Sequence, residues 1–240
     1  IRKIPFEKEK KGGIGMKEQR LGRSVIVLIV FYLIACGVGF IINFQKGDLQ
    51  AVGMGVVALL TPWIVPLLFH LLGLRMTQEV WVLDLVFVFF ASLIGSCFGG
   101  YGVPMFDKVL HFCSGLLITT AGALIYQMLA GIQSGRSTNE RWLFILFLIF
   151  MNLGIAVLWE FYEYFMLVVF QNDCIHHYDS GVHDSITDML CAFISGLYVT
   201  GQFHRWMKSG KEGFFVRLCN RFCQANGIGE NGKEEQGSNV

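Results

Sequence analysis

Six long apolar segments set the class of fold that this sequence can adopt. Each has at least about the 20 mostly apolar residues that an α-helix needs to cross the hydrocarbon core of a bilayer. The segments fall at about 24–43, 51–74, 80–98, 107–130, 142–170 and 184–203. Only 15% of the residues are charged and 54% are hydrophobic, a composition unlike that of ordinary soluble domains. The sequence therefore predicts an all-α fold, a polytopic bundle of about six transmembrane helices.

Polar segments on both sides of the apolar region divide the chain into three parts. We predict a cytoplasmic N-terminal segment over 1–23, a transmembrane helix bundle over 24–203, and a basic cytoplasmic tail over 204–240. The end of the tail contains few apolar side chains that a core would bury, so we expect the tail to be partly disordered.

The N-terminal segment contains a pattern that is unrelated to folding. Lys11-Gly12-Gly13 precedes Met16 as a bacterial ribosome-binding sequence, translated in frame, would precede a start codon. We therefore expect translation to begin at Met16, which would make residues 1–15 upstream sequence rather than native protein.

Lysine and arginine residues alternate between the two sides of the predicted bundle. They occupy the N-terminal segment, the turn at Arg75, the loop with Arg136 and Arg141, and the tail. The other connections hold Lys46, then Lys108, and then no lysine or arginine before the last span. Since the short cytoplasmic loops of membrane proteins are the basic ones, we predict that both termini are cytoplasmic. Basic residues at membrane boundaries indicate contact with membrane lipids and no nucleic-acid partner.

The predicted tail contains a short amphipathic segment, "GFFVRLCNRFCQ". Phe214, Leu218 and Phe222 recur at helical spacing, and Arg217 and Arg221 lie among them. This pattern is typical of a helix that lies on the inner membrane surface. A solvated basic tail is the alternative interpretation.

Acidic residues and one histidine fall at the same predicted depth in three of the helices. At about 1.5 Å per residue, Glu160 lies roughly 28 Å beyond the cytoplasmic start of its helix, near the outer headgroups. The helices that open with Asp107 and Asp184 begin on the outer side and carry further polar residues one turn inside. The residues expected at this outer level are Asp107, His111, Glu160, Glu163, Asp184 and Asp188.

Carboxylates brought together in a low-dielectric environment repel one another, so they either share protons or bind a cation. Carboxylate oxygens suit magnesium, calcium or manganese, and a histidine ligand makes zinc possible. All six residues are therefore candidate ligands of a divalent cation. Without a metal, Glu160, His111 and Asp188 are candidates for general acid and base catalysis.

Ordinary structural roles account for part of this set. Asp107 and Asp184 open their helices, where a carboxylate is favoured by the helix N-terminus, and Glu163 would be solvated if it reached the outer surface. Capping does not account for Glu160, or for His111 and Asp188 one turn inside. The sequence therefore favours a functional site over structural polar packing.

Three motifs in order resemble those of the YjdF-type bacterial inner-membrane proteins, a family with no assigned reaction. The motifs are "FDKVLHFCSG", "WEFYEYF" and "HDSITDMLCAFISG", within the fourth to sixth predicted spans. The matching residues are Asp107, His111, Phe112, Trp159, Glu160, Glu163, Asp184, Asp188 and Met189. The first motif is also similar to VanZ-like proteins, although Ala192 stands where that family commonly has asparagine. The resemblance implies a bacterial cytoplasmic membrane and no particular reaction.

The leading functional hypothesis is an extracytoplasmic pocket that binds or acts on an envelope lipid or lipid precursor, with a divalent cation. An ion- or proton-coupled transporter is the first alternative and needs a polar path to the cytoplasm, for which the inner half offers only Asn152, Asp84 and His70. A non-catalytic scaffold or sensor, whose carboxylates hold helices together, is the second alternative. The residues alone leave open whether the protein is an enzyme, and they predict no oligomeric state.

Overall fold

The computed structural model describes residues 21–130, 137–172 and 177–228. Within these ranges the chain is helical and contains no strand, which confirms the predicted all-α fold. The predicted start at Met16, the loop residue Arg136 and the polar end of the tail lie outside the described ranges.

Nine α-helices follow one another in the described residues. They are α1 (Arg23–Lys46), α2 (Leu49–Leu60), α3 (Ile64–Leu71), α4 (Gln78–Val88), α5 (Phe106–Ala130), α6 (Thr138–Phe170), α7 (His177–Ser180), α8 (His183–Ser209) and α9 (Phe214–Ala225). Helix α4 continues as a π-helical segment over Phe89–Cys97. The predicted boundary between bundle and tail, at 203, falls inside α8, and α9 lies in the predicted tail.

Five helical segments are long and apolar enough to cross a membrane. They are Arg23–Lys46, Leu49–Leu71, Gln78–Cys97, Phe106–Ala130 and Thr138–Phe170. The sixth predicted span forms α8, which has 27 residues and is therefore long enough to cross as well. Helix α8 is more polar than the five apolar segments because the side that faces the neighbouring helices carries buried polar residues, among them Asp188, Ser195 and Gln202. The molecule is thus a polytopic membrane helix bundle.

The second span is interrupted between α2 and α3 by one 3₁₀ turn, Thr61–Trp63. Pro62 lies in this turn and has no N–H to donate, so a regular helix loses a hydrogen bond there. The hydroxyl of Thr61 donates to the carbonyl of Val57 at 2.6 Å. The carbonyl of Ala58, four residues before Pro62, accepts instead from the hydroxyl of Tyr32 at 2.5 Å, so a side chain satisfies the backbone group that loses its helical donor.

Helices α5, α6 and α8 pack closely because small residues lie at their contacts. A Cβ atom at Gly115 of α5 would lie 2.2 Å from the backbone oxygen of Ala192 of α8. Asn152 of α6 donates to the carbonyl of Gly115 at 3.3 Å and to the hydroxyl of Thr119 at 3.0 Å. These contacts fix the axial positions of the three helices. His111 and Asp188, which lie one turn before Gly115 and Ala192, are thereby placed near each other.

A core cluster of buried apolar residues fills the other end of this three-helix unit and includes one side of α9. Its members include Ala123, Phe144, Leu148, Val199, Phe203, Phe215, Val216, Cys219 and Cys223. Phe222 of α9 is also fully buried, and its ring lies 5.3 Å from that of Phe69. The predicted helix in the tail is therefore present, but its apolar side packs against the bundle instead of lying on the membrane surface.

Polar contacts hold α9 against the turn between α3 and α4. Arg221 Nη1 lies 2.9 Å from Glu79 Oε1. Asn226 accepts a hydrogen bond from the backbone N–H of Arg75 at 2.6 Å and donates to its carbonyl at 3.0 Å. Arg75, one of the basic residues on which the predicted topology depends, thus lies where the C-terminal helix docks.

Candidate functional site

Helices α5, α6 and α8 bring their ionisable residues together at the end of the bundle opposite α9. We call this group the acidic pocket. It consists of Asp107, Lys108 and His111 from α5, Glu160 and Glu163 from α6, and Asp184 and Asp188 from α8. All six residues selected from the sequence belong to it. The helical periodicity places each side chain on an inner face, and the close packing of the three helices sets the distances between them.

Lys108 is the pocket residue that sequence reasoning missed. Its ammonium lies 2.5 Å from Asp184 Oδ1 and 2.8 Å from Asp188 Oδ2, and it also donates to the backbone carbonyl of Asp184 at 3.3 Å. The charge pattern of the sequence places Lys108 in a connection on the outer side and predicts no role for it in the pocket. A signal was nevertheless present, because buried carboxylates need a counter-charge and Lys108 is next to Asp107 in the same motif.

His111 lies between carboxylates of two helices. Its Nε2 atom is 3.5 Å from Asp107 Oδ1 on the preceding turn and 3.9 Å from Asp188 Oδ1 on α8. The His111 side chain is buried, and Asp188 is completely so. These distances are longer than hydrogen bonds, but they suit a metal ion coordinated by the imidazole and either carboxylate.

Glu160 and Glu163 are buried on α6. Glu163 Oε1 accepts a hydrogen bond of 2.8 Å from the indole N–H of Trp159. Both oxygens of Glu160 and the second oxygen of Glu163 are buried without a hydrogen bond of normal geometry from the described residues, and the hydroxyl of Ser185 is close enough to interact with Glu160. Burying an unpaired carboxylate is strongly unfavourable, so these oxygens need protons or a cation. A tryptophan at this depth is common at a membrane interface, and here the indole of Trp159 also orients the carboxylate of Glu163.

Two sets of three pocket residues have the geometry of a metal site. Asp107, His111 and Asp188 form one set, and His111, Glu160 and Glu163 form the other. Within each set the potential ligand atoms lie within 4.8 Å of one another. Ligands on opposite sides of an ion with bonds of about 2.0 to 2.6 Å are about 4 to 5 Å apart, so the residues fit a divalent cation.

Five of the six candidate metal ligands belong to these sets, and Asp184 is the exception. Asp184 belongs to neither set, and its Oδ1 atom accepts from Lys108 instead. Asp184 lies in the first turn of α8, but no side chain caps the N-terminus of that helix. His111 belongs to both sets, so an ion bound at either position would contact it.

The polar residues predicted for the inner half of the membrane do not join the pocket. Asn152 lies below it and ties α5 to α6, as described above. Beyond Asn152 the contact between the three helices is mainly apolar, with residues such as Leu148 and Val199, and the uncharged Thr200 and Gln202 of α8 are also buried there. Asp84 lies on α4 and His70 on α3, outside the three helices that form the pocket. Among the described residues, the buried carboxylates of α5, α6 and α8 thus all lie at one end of the bundle.

Comparison with known proteins gives a family match. The sequence model of a family described as "Predicted membrane protein (DUF2238)" matches residues 24–209. The matched region contains helices α1 to α8 and every pocket residue. No curated protein and no solved structure matches the chain. The comparisons give no support for the predicted similarity to VanZ-like proteins.

Proposed function

The chain belongs to the DUF2238 family of predicted membrane proteins, and from this premise we propose that its acidic pocket binds a divalent cation and binds or acts on an envelope lipid. We further propose that it is a YjdF-type protein of the bacterial cytoplasmic membrane. Both termini are cytoplasmic in this proposal, and the pocket faces the extracytoplasmic side. The basic side chains of Arg205, Lys208 and Lys211, at the end of the bundle opposite the pocket, support this orientation.

The observation that carries the proposal is the environment of Glu160. Glu160 is 7% exposed, and in the described part of the chain neither carboxylate oxygen has a hydrogen bond of normal geometry or an ion pair with a lysine or arginine. Glu163 and His111 contribute the nearest potential ligand atoms. A divalent cation would satisfy both glutamates at once, and magnesium, manganese, calcium or zinc are the candidates for this donor set.

Each pocket residue has a proposed role. His111, Glu160 and Glu163 are the ligands of the cation, with Asp107 and Asp188 available to complete its coordination. Any of Glu160, His111 and Asp188 that is not occupied by the ion is available for proton transfer to a bound lipid. The ammonium of Lys108 partly balances the charges of Asp184 and Asp188.

A pocket that opens on one side fits the arrangement of polar residues better than a transport path does. A proton- or ion-coupled transporter needs polar groups or water through the whole membrane. In the described residues, the layer beneath Asn152 between α5, α6 and α8 is mainly apolar, and its buried polar residues Thr200 and Gln202 are uncharged. This layer supports binding or chemistry at one membrane face.

The proposal is tested by elemental analysis of the protein purified in detergent without added chelator. We expect about one equivalent of a divalent metal in the parent protein, and a metal content at least about tenfold lower in Glu160→Gln, which keeps the shape but removes the charge. Asp179→Asn, in exposed α7, is the matched control and retains the metal. Thermal unfolding of all three proteins establishes that the variants are folded. Equal metal content in Glu160→Gln and the parent, or a folded parent that binds none of the four metals on titration, overturns the proposed site.

A further inference from the structure

A second feature lies beside the acidic pocket, on the outer surface of the bundle. A groove of about 620 Å³ runs between α4 with its π-helical extension and α5. We call it the lateral groove. Its apolar lining includes Val86, Phe90, Met105, Val109, Cys113 and Leu117. Several of these side chains are exposed, so the groove opens sideways onto the surface of a membrane protein, where the surroundings are lipid.

The length of the lateral groove matches one leaflet of a bilayer. Along α5 it extends from Phe106 to Leu117, which corresponds to about 16 Å at the rise of an α-helix. The hydrocarbon core of a bilayer is about 30 Å thick, so this is about the length of one acyl chain in one leaflet. Phe214 and Phe215 of α9 line the inner end of the groove.

The groove and the pocket share the first turns of α5. Phe106 and Leu110 line the groove, whereas the residues that follow each of them, Asp107 and His111, belong to the pocket. Successive residues on a helix point about 100° apart, so groove and pocket lie on adjoining faces of the same helix. A lipid whose chain lies in the groove therefore has its headgroup at the level of the pocket.

The charge of the pocket indicates which headgroup it favours. Five carboxylates face the single ammonium of Lys108, and a bound divalent cation still leaves an excess of negative charge when all are ionised. An anionic headgroup would be repelled. A headgroup that carries a primary ammonium as well as a phosphate would have partners of both signs, with the ammonium at the carboxylates and the phosphate at Lys108 or the cation.

We infer that the lateral groove binds one acyl chain of an amine-bearing phospholipid, such as phosphatidylethanolamine, whose headgroup enters the acidic pocket. The acyl-chain part of this inference depends on the groove alone, and the headgroup part rests on the proposed function of the pocket. The inference identifies the lipid class that the pocket binds and the route by which it arrives, which is sideways from one leaflet.

The test is native mass spectrometry of protein reconstituted in vesicles of equal phosphatidylethanolamine and phosphatidylglycerol and then extracted in mild detergent. We expect one retained lipid, with phosphatidylethanolamine enriched about tenfold, the ratio that corresponds to about 1.4 kcal/mol. Val109→Trp, at an exposed position of the groove, places an indole in the path of the chain and abolishes retention. Leu117→Trp gives a second obstruction if the first variant is unstable. Leu190→Trp, at an exposed apolar position on α8, is the control and retains the lipid.

Metal content measured on the same samples separates this inference from the proposed function. Lipid retained equally by Val109→Trp, Leu117→Trp and Leu190→Trp overturns the groove as the binding site. Equal retention of the two lipids by the parent overturns the headgroup assignment. A parent that contains no metal but selects phosphatidylethanolamine, and loses it in Val109→Trp, refutes the cation site and leaves the lipid site supported.

Discussion

The ammonium of Lys108 lies 2.8 Å from Oδ2 of Asp188, and this ion pair joins α5 to α8 inside the bundle. The Asp188 side chain is only 1% exposed, so water cannot stabilise its charge. The same ammonium contacts Asp184, whereas among the described residues Glu160 and Glu163 of α6 have His111 as a neighbour and no lysine or arginine ion pair. Lys108 thus partly balances the carboxylates of α8, while the glutamates of α6 depend on His111, protons or a cation.

Replacing Lys108 by methionine should destabilise the protein. The change leaves the buried carboxylate of Asp188 without its counter-charge, and breaking such a pair costs about 3 kcal/mol or more. The measurement is unfolding in detergent, with exposed Lys46→Met at the end of α1 as the control. A Lys108→Met/Asp188→Asn double variant should recover part of the loss, because it removes both charges. Equal stability of the two lysine variants would show that the pair is not formed.

Gly115→Ala should disrupt the contact between α5 and α8. The added methyl group would lie 2.2 Å from the backbone oxygen of Ala192, and backbone does not move aside as a flexible side chain does. We expect a loss of stability of about 3 kcal/mol, with weaker metal binding because His111 and Asp188 move apart. Gly154→Ala on α6, where nothing lies within 4 Å of the new Cβ, should be neutral or slightly stabilising. Similar unfolding temperatures for the two variants would contradict the helix packing.

Two neighbouring residues of α9 test how this helix is held. Phe222→Ala removes a fully buried ring and should destabilise the protein by about 3 kcal/mol or more. Arg221→Ala breaks an exposed ion pair with Glu79 and should change stability by less than about 1 kcal/mol. Thermal unfolding of both variants in detergent provides the comparison. A small effect of Phe222→Ala would instead support a helix lying on the membrane surface.

Trp159→Phe should weaken cation binding without removing a ligand. The indole N–H donates to Glu163 Oε1 at 2.8 Å and thereby orients that carboxylate. Losing a partner that orients a ligand lowers metal affinity about tenfold or more. Isothermal titration of the metal found in the parent measures the change, and Trp142→Phe, whose ring lies against His204, is the control. Unchanged affinity in Trp159→Phe would exclude Glu163 as an oriented ligand.

The proposed orientation predicts which residues an impermeant reagent can reach in intact bacterial cells. In a variant without other cysteines, a cysteine at Asp179, beside the pocket end of α8, should react with a membrane-impermeant maleimide. A cysteine at Lys211, between α8 and α9, should react only after the cells are permeabilised. The reverse pattern would place the pocket on the cytoplasmic side and refute the proposed orientation.

Much of the candidate site was visible in the sequence because it depends on local periodicity. Asp107 and His111, Glu160 and Glu163, and Asp184 and Asp188 are each separated by three or four positions, which places each pair on one helix face. The apolar segments and their alternating basic flanks predicted the depth of these pairs. The pairing of Lys108 was not predicted, since its two partners are 76 and 80 positions away.

The sequence by itself determined that this protein is an all-α membrane bundle with acidic groups gathered at one level. Hydrophobic length and helical period are local properties, so they can be read without knowing how the helices pack. The tertiary structure alone decided that Lys108 pairs with the carboxylates of α8, that Glu160 is buried without a lysine or arginine partner in the described chain, and that α9 docks on protein. These outcomes depend on the rotation and axial offset of each helix. Contacts such as Gly115 against Ala192 set those quantities through close packing between distant parts of the chain.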